Sequence, residues 1–196
     1  MFWKDAFLYH LRYSFPMATL VPENHPALHT IAEEITDEEI GNGFVDKLIK
    51  DMKEALKKYS VDGFTAVAIA APQIGVSKRL FIIEDQSTNR DSLPSLIAIN
   101  PKITKVSKKT HIVGEGCLSI PDYYGEVKRH THVTMKAQDA QGKTYERGAG
   151  SLLAQIIQHE NDHLDGILFI DRAKKVWNKD EMKNKDLSEA KEDFYG

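Results

Sequence analysis

A domain that mixes helices with antiparallel strands is what the sequence predicts, on three observations. Residues 79–84 (RLFIIE), 96–100 (LIAIN, closed by Pro101) and 111–113 are short β-prone runs separated by polar or proline-bearing links. The run 127–138 (VKRHTHVTMKAQ) alternates, with Thr131, Val133, Met135 and Ala137 on one face; the turn at 139–142 leads into a second strand at 143–147, which makes an antiparallel hairpin. Residues 151–165 (SLLAQIIQHENDHLD) are apolar nearly all round, which is the pattern of a buried helix, and Gly166 stops it.

The remaining elements follow in chain order. The opening 20 residues are interrupted by Asp5, His10 and Arg12 and read as an extension before a second plausible start at Met17, or as a weak amphipathic organelle-targeting stretch poor in arginine, with neither a secretory signal nor a membrane span. Thr36 and Glu39 form the pattern of a capping box, and Ile40, Phe44, Leu48, Met52, Ala55 and Tyr59 recur behind it at helical spacing. One helix is therefore expected, starting between Thr36 and Phe44, because Gly41 and Gly43 weaken its first turns, and ending near Tyr59. Residues 178–196 are charged and mixed in sign, as in a solvated terminal helix or tail.

The chain's 196 residues favour a single domain, since one domain takes roughly 150. Hydrophobic residues make up 41%, enough for a core and too many for a disordered segment. Lys and Arg number 26 against 29 Asp and Glu, so the net charge of −3 leaves no footprint for gripping nucleic acid. A single cysteine, Cys117, excludes an internal disulfide and points to a reducing compartment or to a thiol used in chemistry; cytoplasm is the simplest location, ahead of an organelle.

Within the buried helix, His159 and His163 lie one turn apart on one face, close enough for both to reach one metal ion. Glu160 beside them completes HExxH, in which the carboxylate is free to act as general base on metal-bound water. The five-residue pattern also arises by chance, in which case the histidines merely satisfy polar groups in a core. A third ligand separates the possibilities. Phe169 stands where a metzincin has its third histidine, which removes that class; Glu181 and Glu189 are the candidates for a thermolysin-like site but lie in the charged tail; Cys117, in GEGCLS, gives a thiolate plus two imidazoles.

Three motifs together, AAPQIG at 70–75, EGCLS at 115–119 and QHENDHLDG at 158–166, resemble those of the peptide deformylases in order and spacing, over about residues 21–172. The resemblance implies an α+β fold with antiparallel β-sheets around a central buried HExxH helix, an N-terminal helix and a C-terminal helix. It implies a metal-dependent hydrolase of a linear amide, which removes the formyl group from N-formyl-methionyl nascent polypeptides. Carried over by position, Cys117, His159 and His163 bind the metal, and Glu160 is the acid/base. The Gln73 side-chain amide and the Leu118 backbone N–H hold the oxyanion. Val67, Val113, Leu118 and Ile156 line the methionine pocket, and Ala68 and Tyr124 face the substrate backbone. Asp162 is expected to orient a histidine, and Glu115 to pair with Arg129. The family resemblance implies Fe(2+), with Zn(2+) or Ni(2+) able to occupy the site, and leaves room for a transient ribosome contact; no membrane partner is expected.

The chain departs from the family pattern at Ala66 and Ala68, where glycines are usual, and at Tyr124, where many relatives carry arginine. An added methyl could crowd the substrate or forbid a positive φ. Two further readings follow: a metal-dependent amidase or peptidase of other specificity, and a catalytically weakened metal-binding relative.

Overall fold

Strand β2 (Leu80–Ile83) is buried on both faces, and two layers of helix are built against it. In the computed structural model, which describes residues 19–59, 66–85 and 93–183, β1 (Ala68–Ala70), β2, β3 (Leu96–Val106), β6 (His132–Gln138) and β7 (Thr144–Gly150) form a five-stranded sheet in the order β1-β2-β3-β6-β7. A second sheet has the order β4-β5-β8, from β4 (Thr110–Cys117), β5 (Ile120–His130) and β8 (Lys175–Asn178). Every strand pair within the two sheets is antiparallel. The 1–18 extension and the tail from 184 lie outside the described residues.

Period-two alternation along β2 sends Leu80 and Ile82 to one side and Phe81 and Ile83 to the other. Leu80 and Ile82 pack with Leu48, Met52 and Leu56 of the amphipathic helix α2 (Phe44–Lys58). Phe81 and Ile83 pack with Val133, Met135, Ala154, Ile157 and Leu164, of which the last three belong to helix α3 (Ser151–Leu164). Each such side chain, fully buried, stabilises the fold by about 1.5–3 kcal/mol relative to exposure. The expected α+β architecture is what the chain adopts, and the hairpin β6–β7 and the helix at 151–165 stand where the pattern placed them.

Four boundaries differ from the sequence expectation. The helix expected up to Tyr59 is two: the Thr36–Glu39 capping box is present, but it caps the short α1 (Asp37–Gly41), and Gly43 at φ +86° turns the chain before α2. Strand β3 runs past Pro101 to Val106. Its ladder to β6 shifts register between Ile99 and Lys102, and a bulge there accommodates a residue without an N–H. The alternating run from Val127 is two strands in different sheets, β5 ending at His130 and β6 starting at His132, although Val133, Met135 and Ala137 do face inward. Trp177 lies in strand β8, whose register sets it opposite Tyr124, and among the described residues the helix that follows is the short α4 (Lys179–Lys183). Among the described residues no helix is long and apolar enough to cross a membrane.

Candidate active site

Helix α3 is unusual in burying a run of polar side chains, Gln158, Glu160, Asn161, Asp162 and His163, beside its apolar ones. Buried polar groups need partners, and Gln158 shows how they are found. Its Oε1 accepts from the His130 N–H at 2.9 Å, and its Nε2 donates to the His130 carbonyl at 3.0 Å and the Ala154 carbonyl at 2.8 Å. The side chain thus clasps both backbone groups of the residue at which the chain leaves one sheet for the other. The next residue is His159.

Cys117 is brought to the helix by a register shift between Gly116 and Cys117 at the end of β4. Its Sγ lies 3.2 Å from His163 Nε2, and the ligand atoms of Cys117, His159 and His163 all fall within 4.8 Å of one another. The two imidazole rings stand nearly perpendicular, with centroids 4.9 Å apart. Burial alone would push the Cys117 thiol up, but the His163 and His159 imidazoles hold it well below its ordinary value; against the same burial, Cys117 and Glu115 hold His159 well above its own.

Behind His159 stands a buried ion-pair network. Both Glu115 oxygens receive bonds from Arg129, Nε at 2.7 Å and Nη2 at 2.8 Å, and Glu115 Oε2 lies 3.0 Å from His159 Nδ1. Burial would raise the Glu115 carboxyl, but the bonds from Arg129 and His159 outweigh it and hold the group at about 2. An ionised carboxylate only accepts, so Nδ1 carries the proton and His159 keeps Nε2 for the cluster. The expected Glu115–Arg129 pair is present. The Asp162 carboxylate binds Arg129 Nη1 at 2.6 Å and Arg172 at 2.6–2.7 Å and, among the described residues, bonds to no histidine directly; its link to His159 runs through Arg129 and Glu115. Sequence reasoning misses Arg172, Gln158 and Ser119; the ten-residue separation of Asp162 and Arg172 carries no periodic signal, whereas Gln158 and Ser119 lie inside the motifs at 158–166 and 115–119.

Glu160 is 4% exposed, and its Oε2 has no hydrogen-bond partner. Burial is the largest cause that lifts its carboxyl to about 7; the Cys117 and Glu115 charges add to this, and the two histidines oppose it. Gln73, in the 3₁₀ turn Ala71–Ile74 after β1, is equally buried. Its Oε1 accepts from the Ala70 N–H at 2.8 Å, and its Nε2 faces Ser119 Oγ at 3.1 Å and Cys117 Sγ at 3.5 Å. Leu118 sits in the turn between β4 and β5.

Of the substrate-facing candidates, Val67 and Ala68 pack against the cluster that contains Ile156, whereas Leu118 packs against the α2 cluster. Val113 is half-buried on β4. Tyr124 pairs across from Gly116, and its ring lies so close that a Cβ at Gly116 would meet two ring carbons at 3.0 Å. Ala66 and Ala68 do not carry a positive φ: among the described residues the non-glycine cases are Asn100, Asp122 and Ser151. The backbone thus makes no demand for glycine at either alanine, which removes one of the two grounds for a weakened relative.

The donor set fits a divalent cation. A thiol and two imidazoles converge, one imidazole is oriented by a carboxylate, and His163 Nδ1 and Glu160 Oε2 are buried without partners. Such a cluster on a buried HExxH helix, with antiparallel strands around it, defines the class of metallohydrolases. Residues 17–179 match the family model of polypeptide deformylase. The chain is 39% identical to a peptide deformylase of Synechocystis sp. over 65% of each chain. It is 33% identical to peptide deformylase 1A, chloroplastic, of Solanum lycopersicum over 80% of this chain and 59% of that one. It thus spans less than two thirds of the length of these two curated relatives. Among solved structures, the Met-Ala-Ser-bound class I type b peptide deformylase of Acinetobacter baumannii superposes with a TM-score of 0.70 at 32% identity, covering 78% of this chain and 96% of that one. The chain belongs to the polypeptide deformylase family.

Proposed function

We propose that this protein is a metal-dependent hydrolase that removes the formyl group from N-formyl-methionine at the start of nascent polypeptides and releases formate. The observation that carries the reading is the convergence of Cys117, His159 and His163 beside a buried Glu160 whose carboxyl is lifted to about 7. A divalent ion held by the three, Fe(2+) in the cell with Zn(2+) or Ni(2+) able to replace it, supplies Lewis acidity and a water of lowered pKa.

The chain's own residues do the rest. Glu160 takes a proton from the attacking water and returns it to the leaving amine, a task suited to a carboxyl that titrates near neutrality. The Gln73 amide and the Leu118 N–H donate to the oxygen on which charge develops. Glu115 holds His159 in one tautomer, and Arg129, itself bound by Asp162, holds Glu115 in turn. Val67, Val113, Leu118 and Ile156 receive the methionine side chain, with Ala68 and Tyr124 along the peptide backbone. Residues 1–196 act as one catalytic domain in the cytoplasm, with transient contact to the ribosome.

The test is formate release from formyl-Met-Ala-Ser by protein prepared anaerobically with iron(II), beside a Glu160→Gln variant. Formate from the wild type, and none from the variant although it binds metal, is the expected result. Equal turnover by the two, or none by the metal-loaded wild type, would overturn the reading.

A further inference from the structure

We propose that Ser119 is a positioning residue for the reaction: its buried hydroxyl holds the Gln73 amide in the orientation that presents an N–H to the reacting oxygen. The inference rests on the deformylase reading above and assigns a role to a side chain outside the metal cluster and the acid/base.

A glutamine amide turns broadly about its terminal torsion, so a donor that must meet developing charge has to be held at both ends. In Gln73 both ends are held. The Ala70 backbone N–H can only donate, so the atom 2.8 Å from it is the amide oxygen and the assignment of Oε1 and Nε2 is unambiguous. Nε2 then has two hydrogens. One goes to Ser119 Oγ at 3.1 Å, and the other turns toward Cys117 Sγ, 3.5 Å away, on the side of the metal-ligand cluster. Ser119 is 3% exposed and Gln73 2%, so water does not stand in for either partner.

The two residues come from different sheets. Gln73 follows β1, at the edge of the five-stranded sheet; Ser119 lies in the turn between β4 and β5 of the three-stranded one. Their hydrogen bond spans the site, and the Ser119 N–H also approaches Cys117 Sγ at 3.4 Å. Without the hydroxyl, one Nε2 hydrogen loses its acceptor and the amide is free to swing toward the sulfur. A donor that acts mainly on transition-state charge affects kcat when misaligned and leaves KM nearly unchanged.

The experiment compares the metal-loaded wild type, Ser119→Ala, Gln73→Leu and the double variant on formyl-Met-Ala-Ser, with metal content measured for each. It also records the Gln73 side-chain amide resonances in 15N-labelled protein. Ser119→Ala is expected to lower kcat about 10- to 30-fold, with KM within about 2-fold and metal content unchanged. In the Gln73→Leu background the same change is expected to cost nothing further, and the Gln73 amide pair shifts in the single Ser119→Ala variant. An unchanged kcat, or an equal loss with Gln73 already removed, would overturn the proposal. If the wild type releases no formate, the deformylase reading itself fails; the resonances still decide whether Ser119 holds the amide, and unshifted Gln73 signals would refute it.

Discussion

Glu115 Oε2 accepts a hydrogen bond from His159 Nδ1 at 3.0 Å while Arg129 holds both oxygens of the same carboxylate. The orientation of one proposed metal ligand is therefore set by a charge that is itself set by an arginine. Removing that carboxylate's charge while keeping its shape should weaken the metal site without dismantling the fold. Glu115→Gln is expected to lower metal affinity by about 10- to 100-fold, as read by competition with a chelator of known affinity. Unchanged affinity would show that Glu115 does not act through His159.

Arg129 and Arg172 share Asp162, but they differ in exposure: the Arg129 side chain is 4% exposed and that of Arg172 is 44%. Arg129→Met takes the buried cation from two buried carboxylates, leaving Glu115 only His159 and Asp162 only Arg172, and is expected to cost about 3–5 kcal/mol in urea unfolding. Arg172→Met removes a partner that water replaces, and should cost under about 1 kcal/mol. Similar losses for the two would contradict the view that desolvation makes the difference.

The raised carboxyl of Glu160 has a consequence for stability whose sign can be worked out. In the metal-free protein the folded state keeps this proton up to about pH 7, whereas an unfolded glutamate releases it near 4.5. Its contribution is therefore fully present below 4.5 and is lost as the pH rises through 7. Glu160→Gln lacks this loss. Relative to metal-stripped wild type, the variant should gain roughly 2–3 kcal/mol between pH 5 and pH 8, measured as unfolding free energy at each pH. A difference that stays flat with pH would show that Glu160 is not held protonated in the fold.

Ala66 and Ala68 sit where a glycine would offer no conformational advantage, since neither has a positive φ. Ala68→Gly in β1 is expected to destabilise by about 0.5–1 kcal/mol, through chain entropy alone, and to leave kcat/KM for a formyl peptide within about 2-fold. A large rise in kcat/KM would mean that the methyl group does obstruct the substrate.

What the sequence showed of this molecule was whatever has a period or a fixed local signature. The four-residue spacing of His159 and His163, the alternation of Val133, Met135 and Ala137, and the Thr36–Glu39 capping box are local, and each is where it was read. Features decided by distant partners were illegible. The chain breaks at Thr131 because Gln158, 28 residues from His130, holds that residue at the junction, and nothing in the alternating run marks it. The partners of Asp162 are an arginine ten residues on and another 33 residues back, and neither distance carries a signal in the sequence. Residues 175–178 (KVWN) form a strand because β5 offers them an edge, a distant partner that no local signal names.

Gln158 grips the backbone of His130, and His159 follows it by a single peptide bond. The seam between the two sheets and the first imidazole of the cluster are thus mechanically one part. A substitution that loosens the seam reaches the imidazole through one buried glutamine amide and a single peptide bond, a path too short and too tightly packed to absorb the strain. Tolerance to mutation should accordingly be poorest at this seam, even at positions that no substrate atom ever meets.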